Sequence, residues 1–259
     1  MPTYLDTILV AHRAAAAADD RPLDELVAAA GRQPPARGFR DALVATPGLA
    51  VVAEIKRRSP SAGDLAPDLV PDVVAKAYAD GGAACLSVLT DADFFGGSPG
   101  DLAAARAASG LPVLRKDFTV SAADVCDTRL MGADAVLLIV AALEDAELAR
   151  FVELAGDLGL DALVEVHDGT ELGRALSAGA TLIGVNQRDL STFRVDHARA
   201  ERLAAAIPAG VVKVAESGVR GAGDARRLAG AGYDAVLVGE ALVTAGDPTA
   251  AVRELAACS

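Results

Sequence analysis

From residue 50 to the end of the chain one unit recurs. A short apolar strand leads through a polar or glycine-containing loop to an amphipathic helix, and a glycine returns the chain to the next strand. The strands read as 51–55, 84–89, 112–116, 135–140, 161–166, 181–186, 211–216 and 235–238, short apolar runs of the kind a fully buried strand requires. The intervening helices read over about 67–80, 99–109, 121–131, 144–158, 168–178, 196–206, 221–231 and 248–257. Gly81-Gly82, Gly110, Gly132, Gly159, Gly179 and Gly232 mark the helix stops, because glycine adopts the left-handed cap without steric cost. Eight strands alternating with eight helices predict a parallel sheet closed into a single (β/α)8 TIM barrel, an α/β fold. A doubly wound open sheet is the alternative, but it rarely holds eight such regular units. At 259 residues, 52% apolar and 23% charged, the chain has the length and composition of one globular barrel.

Ahead of the first strand, residues 3–31 are alanine-rich and amphipathic, with Ile8, Leu9, Leu23, Leu26 and Val27 at helical spacing. Pro22 fits the first turn of a second helix. Gln33 to Gly38 reads as a linker, and Phe39 to Leu43 begins another short helix. The expected organisation is an N-terminal helical extension, residues 1–48, capping a catalytic barrel of residues 49–259.

A formal net charge of −12 argues against nucleic acid or an anionic membrane as partner. An acidic protein that binds an anion must gather its basic residues locally, and Lys56-Arg57-Arg58 is the densest such run. Cys85, Cys126 and Cys258 show no Cys-x-x-Cys spacing, so free thiols in a reducing cytosol are expected. His12, His167 and His197 have no metal-ligand spacing. No signal-peptide pattern opens the sequence and no apolar run reaches membrane-spanning length. A cytoplasmic location follows as the expectation. Nothing marks an exposed apolar strip, so a monomer is the expected state.

In a (β/α)8 barrel the active site lies where strands end and βα loops begin. The first strand ends in Glu54 and Lys56, two positions apart and therefore on one face. A basic loop, Arg57-Arg58-Ser59-Pro60-Ser61, follows with the chemistry of an anion site. The third strand ends in Lys116, the fifth in Glu165, and the sixth in Asn186 with Arg188 just beyond. The seventh ends in Glu216-Ser217-Gly218 and the eighth in Gly239-Glu240. Parity supports an inward set: Lys116 shares a face with Leu114, Glu165 with Leu163, Asn186 with Gly184, and Glu216 with Val214 and Val212. Solvated charges scattered at random would not fall so regularly at one end. Gly218 and Gly239 allow backbone N–H groups close to an oxyanion, loops after the last two strands are the usual phosphate seat, and Ser59 adds a hydroxyl donor. Phe94-Phe95 in the second loop reads as ligand wall, and His167 as a packing or capping residue at the start of its helix.

These motifs together resemble the indole-3-glycerol phosphate synthase family of tryptophan biosynthesis. The resemblance runs through Pro34-Pro35 to Phe39, Ala53 to Gly63, Ser87 to Ser98, Leu111 to Phe118, Val136 to Val140, Leu163 to His167, Ile183 to Leu190 and Val211 to Gly218. It implies a carboxy-lyase that closes the ring of 1-(2-carboxyphenylamino)-1-deoxyribulose 5-phosphate with loss of carbon dioxide and water. Its only implied partner is that small phosphorylated molecule, and neither metal nor organic cofactor is implied. By the same resemblance Lys116 is the main general acid and Glu165 the general base. Lys56 contacts the substrate carboxylate and is a candidate second acid, with Glu54 orienting it. Asn186 and Glu216 bind substrate hydroxyls, and Arg188, Phe95 and Phe118 complete the substrate contacts. Ser59, Ser217, Gly218, Gly239 and Glu240 hold the phosphate, the last through its backbone N–H. Two departures stand out: Ala123-Asp124, where the family often has an aromatic followed by Gln, and Gln187, where Asn or Ser is common. Two rival readings share the barrel. A phosphoribosylanthranilate isomerase-like aminoketose isomerase would need an acid/base pair such as Cys or Asp at the first strand end, where Glu54 and Lys56 stand. A non-catalytic phosphate-binding barrel would not need Lys116 and Glu165.

Overall fold

The computed structural model describes residues 3–60, 62–189 and 194–258, so Ser61 of the basic loop and Leu190 of the sixth-strand block lie outside the described residues. Eight parallel strands close a barrel: β1 (Ala50–Ile55), β4 (Cys85–Leu89), β5 (Val113–Lys116), β6 (Ala135–Ile139), β7 (Asp161–Val166), β8 (Leu182–Asn186), β9 (Val212–Glu216) and β10 (Ala235–Val238). Each pairs with its sequence neighbour, and β1 closes the ring by pairing with both β4 and β10. The predicted single (β/α)8 barrel is the observed fold, and strand boundaries agree within a residue.

Alternation along the strands divides the core in two. Val51, Ala53 and Ile55 of β1 point outward into the layer under the helices. Ala50 and Val52 join Leu114, Ala135, Leu137, Leu163, Leu182, Val212, Val214 and Leu237 in the lumen. Glu54, Lys116, Glu165, Asn186 and Glu216 continue that inward parity at the C-terminal end, which is why the chain puts its charges into the mouth.

The N-terminal helices are α1 (Tyr4–Ala18), α2 (Leu23–Gly31) and α3 (Phe39–Ala45), with Pro22 as the N-cap of α2. They serve both ends of the barrel, not one. Phe39 and Leu43 of α3 are fully buried against the lumen floor, and the backbone N–H groups of Arg37 and Arg40 donate to Asp134 and Asp161 near the starts of β6 and β7 at 2.8 and 2.9 Å. At the opposite end α1 lies against the mouth. Arg13 grips both carboxylate oxygens of Glu147, at 2.5 and 2.7 Å, and the carbonyls of Val120 and Ala142, each at 3.0 Å.

The first βα loop departs from expectation. Arg58–Ser59 (β2) and Gly63–Asp64 (β3) pair as a small antiparallel ribbon, and Leu65 and Ala66 both donate their N–H to the Arg57 carbonyl, at 2.8 and 3.0 Å. This holds the chain out of helix, so α4 starts at Pro71 instead of residue 67 and runs to Gly81. The other barrel helices are α5 (Pro99–Ser109), α6 (Ala122–Leu130), α7 (Asp145–Asp157), α8 (Gly169–Ser177), α9 (His197–Ala204), α10 (Ala222–Gly230), a short α11 (Glu240–Val243) and α12 (Pro248–Ala256). A 3-10 turn, Val140–Ala142, follows β6. All three cysteines are buried free thiols. Among the described residues no helix is long and apolar enough to cross a membrane.

Candidate active site

A cavity of about 810 Å³ opens at the C-terminal ends of the strands. The residues predicted for catalysis, substrate contact and phosphate binding line it: Glu54, Lys56, Ser59, Phe95, Lys116, Phe118, Glu165, Asn186, Arg188, Glu216, Ser217, Gly218, Gly239 and Glu240. Phe94, expected beside Phe95 in the wall, instead packs edge-on against Tyr4 with ring centroids 5.9 Å apart. Leu89, Leu137, Ile139 and Leu237 form its apolar floor.

Lys116 Nζ sits 3.7 Å from Glu165 Oε2 and 3.7 Å from Glu216 Oε2. Burial disfavours its charge, but Glu165, Glu216 and Glu54 outweigh burial and hold the ammonium well above the usual lysine range. Asn186 Nδ2 donates to Glu165 Oε1 at 3.1 Å. Burial works against the Glu165 carboxylate too, yet Lys116, His167 and Asn186 outweigh it and keep it ionised. Glu216 goes the other way. Its burial and the neighbouring Glu165 charge push it up to about 8 against the pull of Lys116, so at neutral pH the two carboxyls share one proton, held on Glu216. The Glu216 carboxyl fits only because Gly184 has no side chain: a Cβ there would lie 2.0 Å from Oε1.

On the other side of the mouth Lys56 Nζ donates to Glu54 Oε1 at 2.6 Å, while Ser87 Oγ donates to Glu54 Oε2 at 3.3 Å. Burial opposes the Glu54 charge, and Lys56 and Lys116 outweigh it, so its carboxyl is held below its ordinary value. A Cβ on Gly239 would stand 2.4 Å from Glu54 Oε1 and 3.0 Å from Lys56 Nζ. That glycine therefore makes room for the ion pair as well as bordering the anion seat.

Next to Gly239, Ser217 and Gly218 turn sharply after β9 with φ of 67° and 75°. A positive φ at serine is strained, and Gln187 supports it: its Nε2 donates to the Ser217 carbonyl at 2.7 Å and its Oε1 lies 3.1 Å from His197 Nδ1. The longer amide at this departure from the family pattern is thus a brace under the turn. The other departure is a helix cap. Asp124 and Ser121 form a reciprocal capping box on α6.

Several lining residues escaped the sequence reading. Tyr4, Leu5 and Ile8 reach the cavity from α1, and Arg194, Val195, His197 and Arg220 surround the turn at Gly218. Arg220 could have been found, two residues beyond that glycine in the same loop. The α1 residues carried no signal, since a helix placed far ahead of the barrel can dock anywhere on it. His167, expected to pack or cap, leaves capping of α8 to Asp168 and lies 3.5 Å from Glu165. The fold also gathers His12, Asp91 and Asp117 within ligand distance of one another. They already have protein partners: His12 Nε2 meets Asp91 at 3.0 Å and Arg115 meets Asp117 at 2.9 Å. Asp91 Oδ1 in turn accepts the N–H groups of Phe94 and Phe95, at 2.6 and 3.0 Å, fixing the aromatic wall.

The sequence profile of the family described as "Indole-3-glycerol phosphate synthase" matches residues 5–255. A protein of that name from Mycobacterium avium is 52% identical over 98% of this chain and 93% of its own length. "Indole-3-glycerol phosphate synthase 2" of Streptomyces coelicolor is 55% identical over 90% of this chain and 89% of its own. Among solved structures, thiamine phosphate pyrophosphorylase from Pyrococcus furiosus superposes with a TM-score of 0.60 at 18% identity, covering 80% of this chain and 93% of that one, a likeness of fold alone. With a profile match over nearly its whole length and relatives above half identity, the chain belongs to the indole-3-glycerol phosphate synthase family.

Proposed function

We propose that this enzyme converts 1-(2-carboxyphenylamino)-1-deoxyribulose 5-phosphate to indole-3-glycerol phosphate through the residues of the barrel mouth. The observation that carries the assignment is Lys116 set 3.7 Å from each of two carboxyls that differ in protonation. Pairs of acids pushed apart in this way mark acid and base roles.

The ring carbon bearing the carboxylate attacks the ketone, and the amine nitrogen supplies the electron pair. Lys116 protonates the alkoxide as it forms, a transfer that remains downhill for a strongly held ammonium because an alkoxide is more basic still. The carboxylate departs as carbon dioxide, and its bonding pair restores the aromatic ring. Lys56 protonates the leaving hydroxyl, which departs as water. Glu165 removes the proton from the former methylene carbon and completes the indole. Two protons are given and one recovered, so each turnover takes up one proton in exchange for the lost carboxylate.

Glu54 holds Lys56 toward the substrate carboxylate. Asn186 and Glu216 address the ribulose hydroxyls, and Arg188, Phe95 and Phe118 flank the substrate. Ser59, Ser217, Gly218, Gly239 and the Glu240 N–H hold the phosphate. Residues 1–48 act as an extension and residues 49–259 as the catalytic barrel, working as a cytoplasmic monomer; the buried free thiols support that compartment. Incubation with the carboxyphenylamino-deoxyribulose phosphate should produce indole fluorescence at a rate that Lys116→Ala and Glu165→Gln each abolish. Absence of fluorescence with the folded parent protein would overturn the reading.

A further inference from the structure

Behind Glu165, away from the main cavity, a smaller opening of about 260 Å³ is lined by Leu5, Ala141, His167, Glu171 and Arg199, among others. His167 borders it and is tethered on one side only. Its backbone N–H donates to Glu171 Oε2 at 2.7 Å, and its Nδ1 lies 3.0 Å from the same oxygen. A carboxylate only accepts, so Nδ1 carries a hydrogen and Nε2 is the ring atom left for other work. Nε2 is buried without a hydrogen-bond partner among the described residues, 3.5 Å from Glu165 Oε1.

The two carboxyls at Lys116 are chemically alike and equally distant from it, so distance to the lysine does not decide which of them is ionised. Their other neighbours differ. Glu165 Oε1 has Asn186 Nδ2 at 3.1 Å and His167 Nε2 at 3.5 Å, whereas Glu216 Oε1 is buried with no hydrogen-bond partner among the described residues, and the Glu54 charge adds to its disadvantage. We propose that His167 is a positioning residue that makes Glu165, rather than Glu216, the ionised carboxylate of the pair and so assigns the base. This rests on Glu165 being the base of the reaction above.

The charges around His167 favour its cation. Burial opposes it, but Glu171 and Glu165 outweigh burial, so the ring keeps its proton to higher pH than a free imidazole. Arg199 on α9 opposes that charge, and is itself 3.7 Å from Asp189. Asp168 is turned to the α8 N-terminus, accepting the Glu171 N–H at 2.8 Å. Lys116 and Glu216 stand beyond Glu165, while Leu5 of α1 and Ala141 of the 3-10 turn bring no charge. Imidazolium therefore adds to Asn186 and Lys116 on one carboxyl of the two, and an asymmetric site results.

The test is the pH dependence of turnover in parent, His167→Asn and Glu171→Gln, with the carboxyphenylamino-deoxyribulose phosphate as substrate. Asparagine keeps a polar group but carries no charge. Without the cation Glu165 binds its proton more tightly, so the acid limb of the kcat/KM profile should move to higher pH by about one unit, a roughly tenfold loss on that limb. The deficit should shrink to within about twofold once pH is well above the limb, with KM little changed throughout. Glu171→Gln leaves the imidazole in place but removes its counter-charge. At the low pH of that limb the ring is still protonated, so the limb should stay in place or move slightly to lower pH, because a neighbouring anion is gone. A loss independent of pH or a His167→Asn profile superimposable on the parent's overturns the assignment, and if His167→Asn does not fold, a shift of the Glu171→Gln limb to higher pH does so. Those outcomes are separate from failure of the base itself, which would appear as activity surviving in Glu165→Gln or as an inactive parent.

Discussion

Replacing Lys116 by methionine removes a cation that faces both Glu165 and Glu216 while keeping a chain of similar length over the lumen. At 3.7 Å and an effective dielectric constant of about 20, its attraction to the ionised Glu165 amounts to about 4–5 kcal/mol before solvation is counted. Glu165 is 2% exposed, so water cannot replace the lost partner, and removing one member of a buried pair typically costs about 3–5 kcal/mol. The carboxyl can escape that cost by taking up a proton, which makes the loss dependent on pH. In the parent Glu165 titrates below its ordinary value of 4.5, so its contribution to stability is present at neutral pH and disappears in acid. In the variant its folded value rises above the unfolded one, and stability then falls as pH climbs from about 4.5 through the new value. Urea unfolding should therefore show parent and variant close together near pH 5 and separated by about 3 kcal/mol near pH 8, with unchanged m-values. The activity of Lys116→Met should fall by about 10²–10⁴ at every pH, as expected for loss of a positioned acid. A stability gap equal at both pH values would refute the pairing of Lys116 with the carboxyls. A kcat within a few-fold of the parent's would refute its role as acid.

Gly184→Ala places a methyl group 2.0 Å from Glu216 Oε1; the carboxyl must swing away, and kcat should fall at least about tenfold with a stability loss of about 1–3 kcal/mol. Unaltered kinetics in that variant would remove Glu216 from the working site. Lys56→Arg keeps the charge but cannot release a proton near neutral pH, so kcat should collapse by about 10² or more while KM changes little; retention of kcat would reduce Lys56 to a carboxylate contact. Inorganic phosphate should compete with substrate, and Gly218→Val, whose Cβ would crowd Val195 Cγ1 at 2.5 Å, should raise KM and the phosphate inhibition constant together. Arg13→Ala loses four hydrogen bonds that dock α1; limited proteolysis should then cut within Tyr4–Ala18, and KM should rise because Tyr4, Leu5 and Ile8 line the mouth.

What was legible in the sequence was whatever a period of two or a glycine could encode. The inward parity of Glu54, Lys116, Glu165 and Glu216 follows from counting along each strand, and the barrel brings all four into one cavity. The protonation of Glu216 was not legible, because it depends on Glu165, fifty-one positions earlier in the chain but a neighbour across β8. The part played by Gly184 was hidden for the same reason: a glycine in a strand does not announce the side chain that occupies its vacancy. His167 was read as a helix-start residue, yet Asp168 took that position and freed the ring to face Glu165. α4 starts later than the helical pattern predicts because the carbonyl of Arg57 captures two N–H groups that the pattern assigns to the approach of the helix.

The placing of α1 and α3 at opposite ends of the barrel has a consequence for how the molecule comes into being. Phe39 and Leu43 seat against a floor that includes Val212 and Ala235, and Arg40 reaches the carbonyl of Gly210, 170 positions later. During synthesis on the ribosome these residues emerge ahead of every strand they need, and they must wait for nearly the whole barrel before they can dock. Contacts so distant in sequence are slow to form. The part of the chain translated earliest should be the last to find its place, and until then the barrel floor stands open.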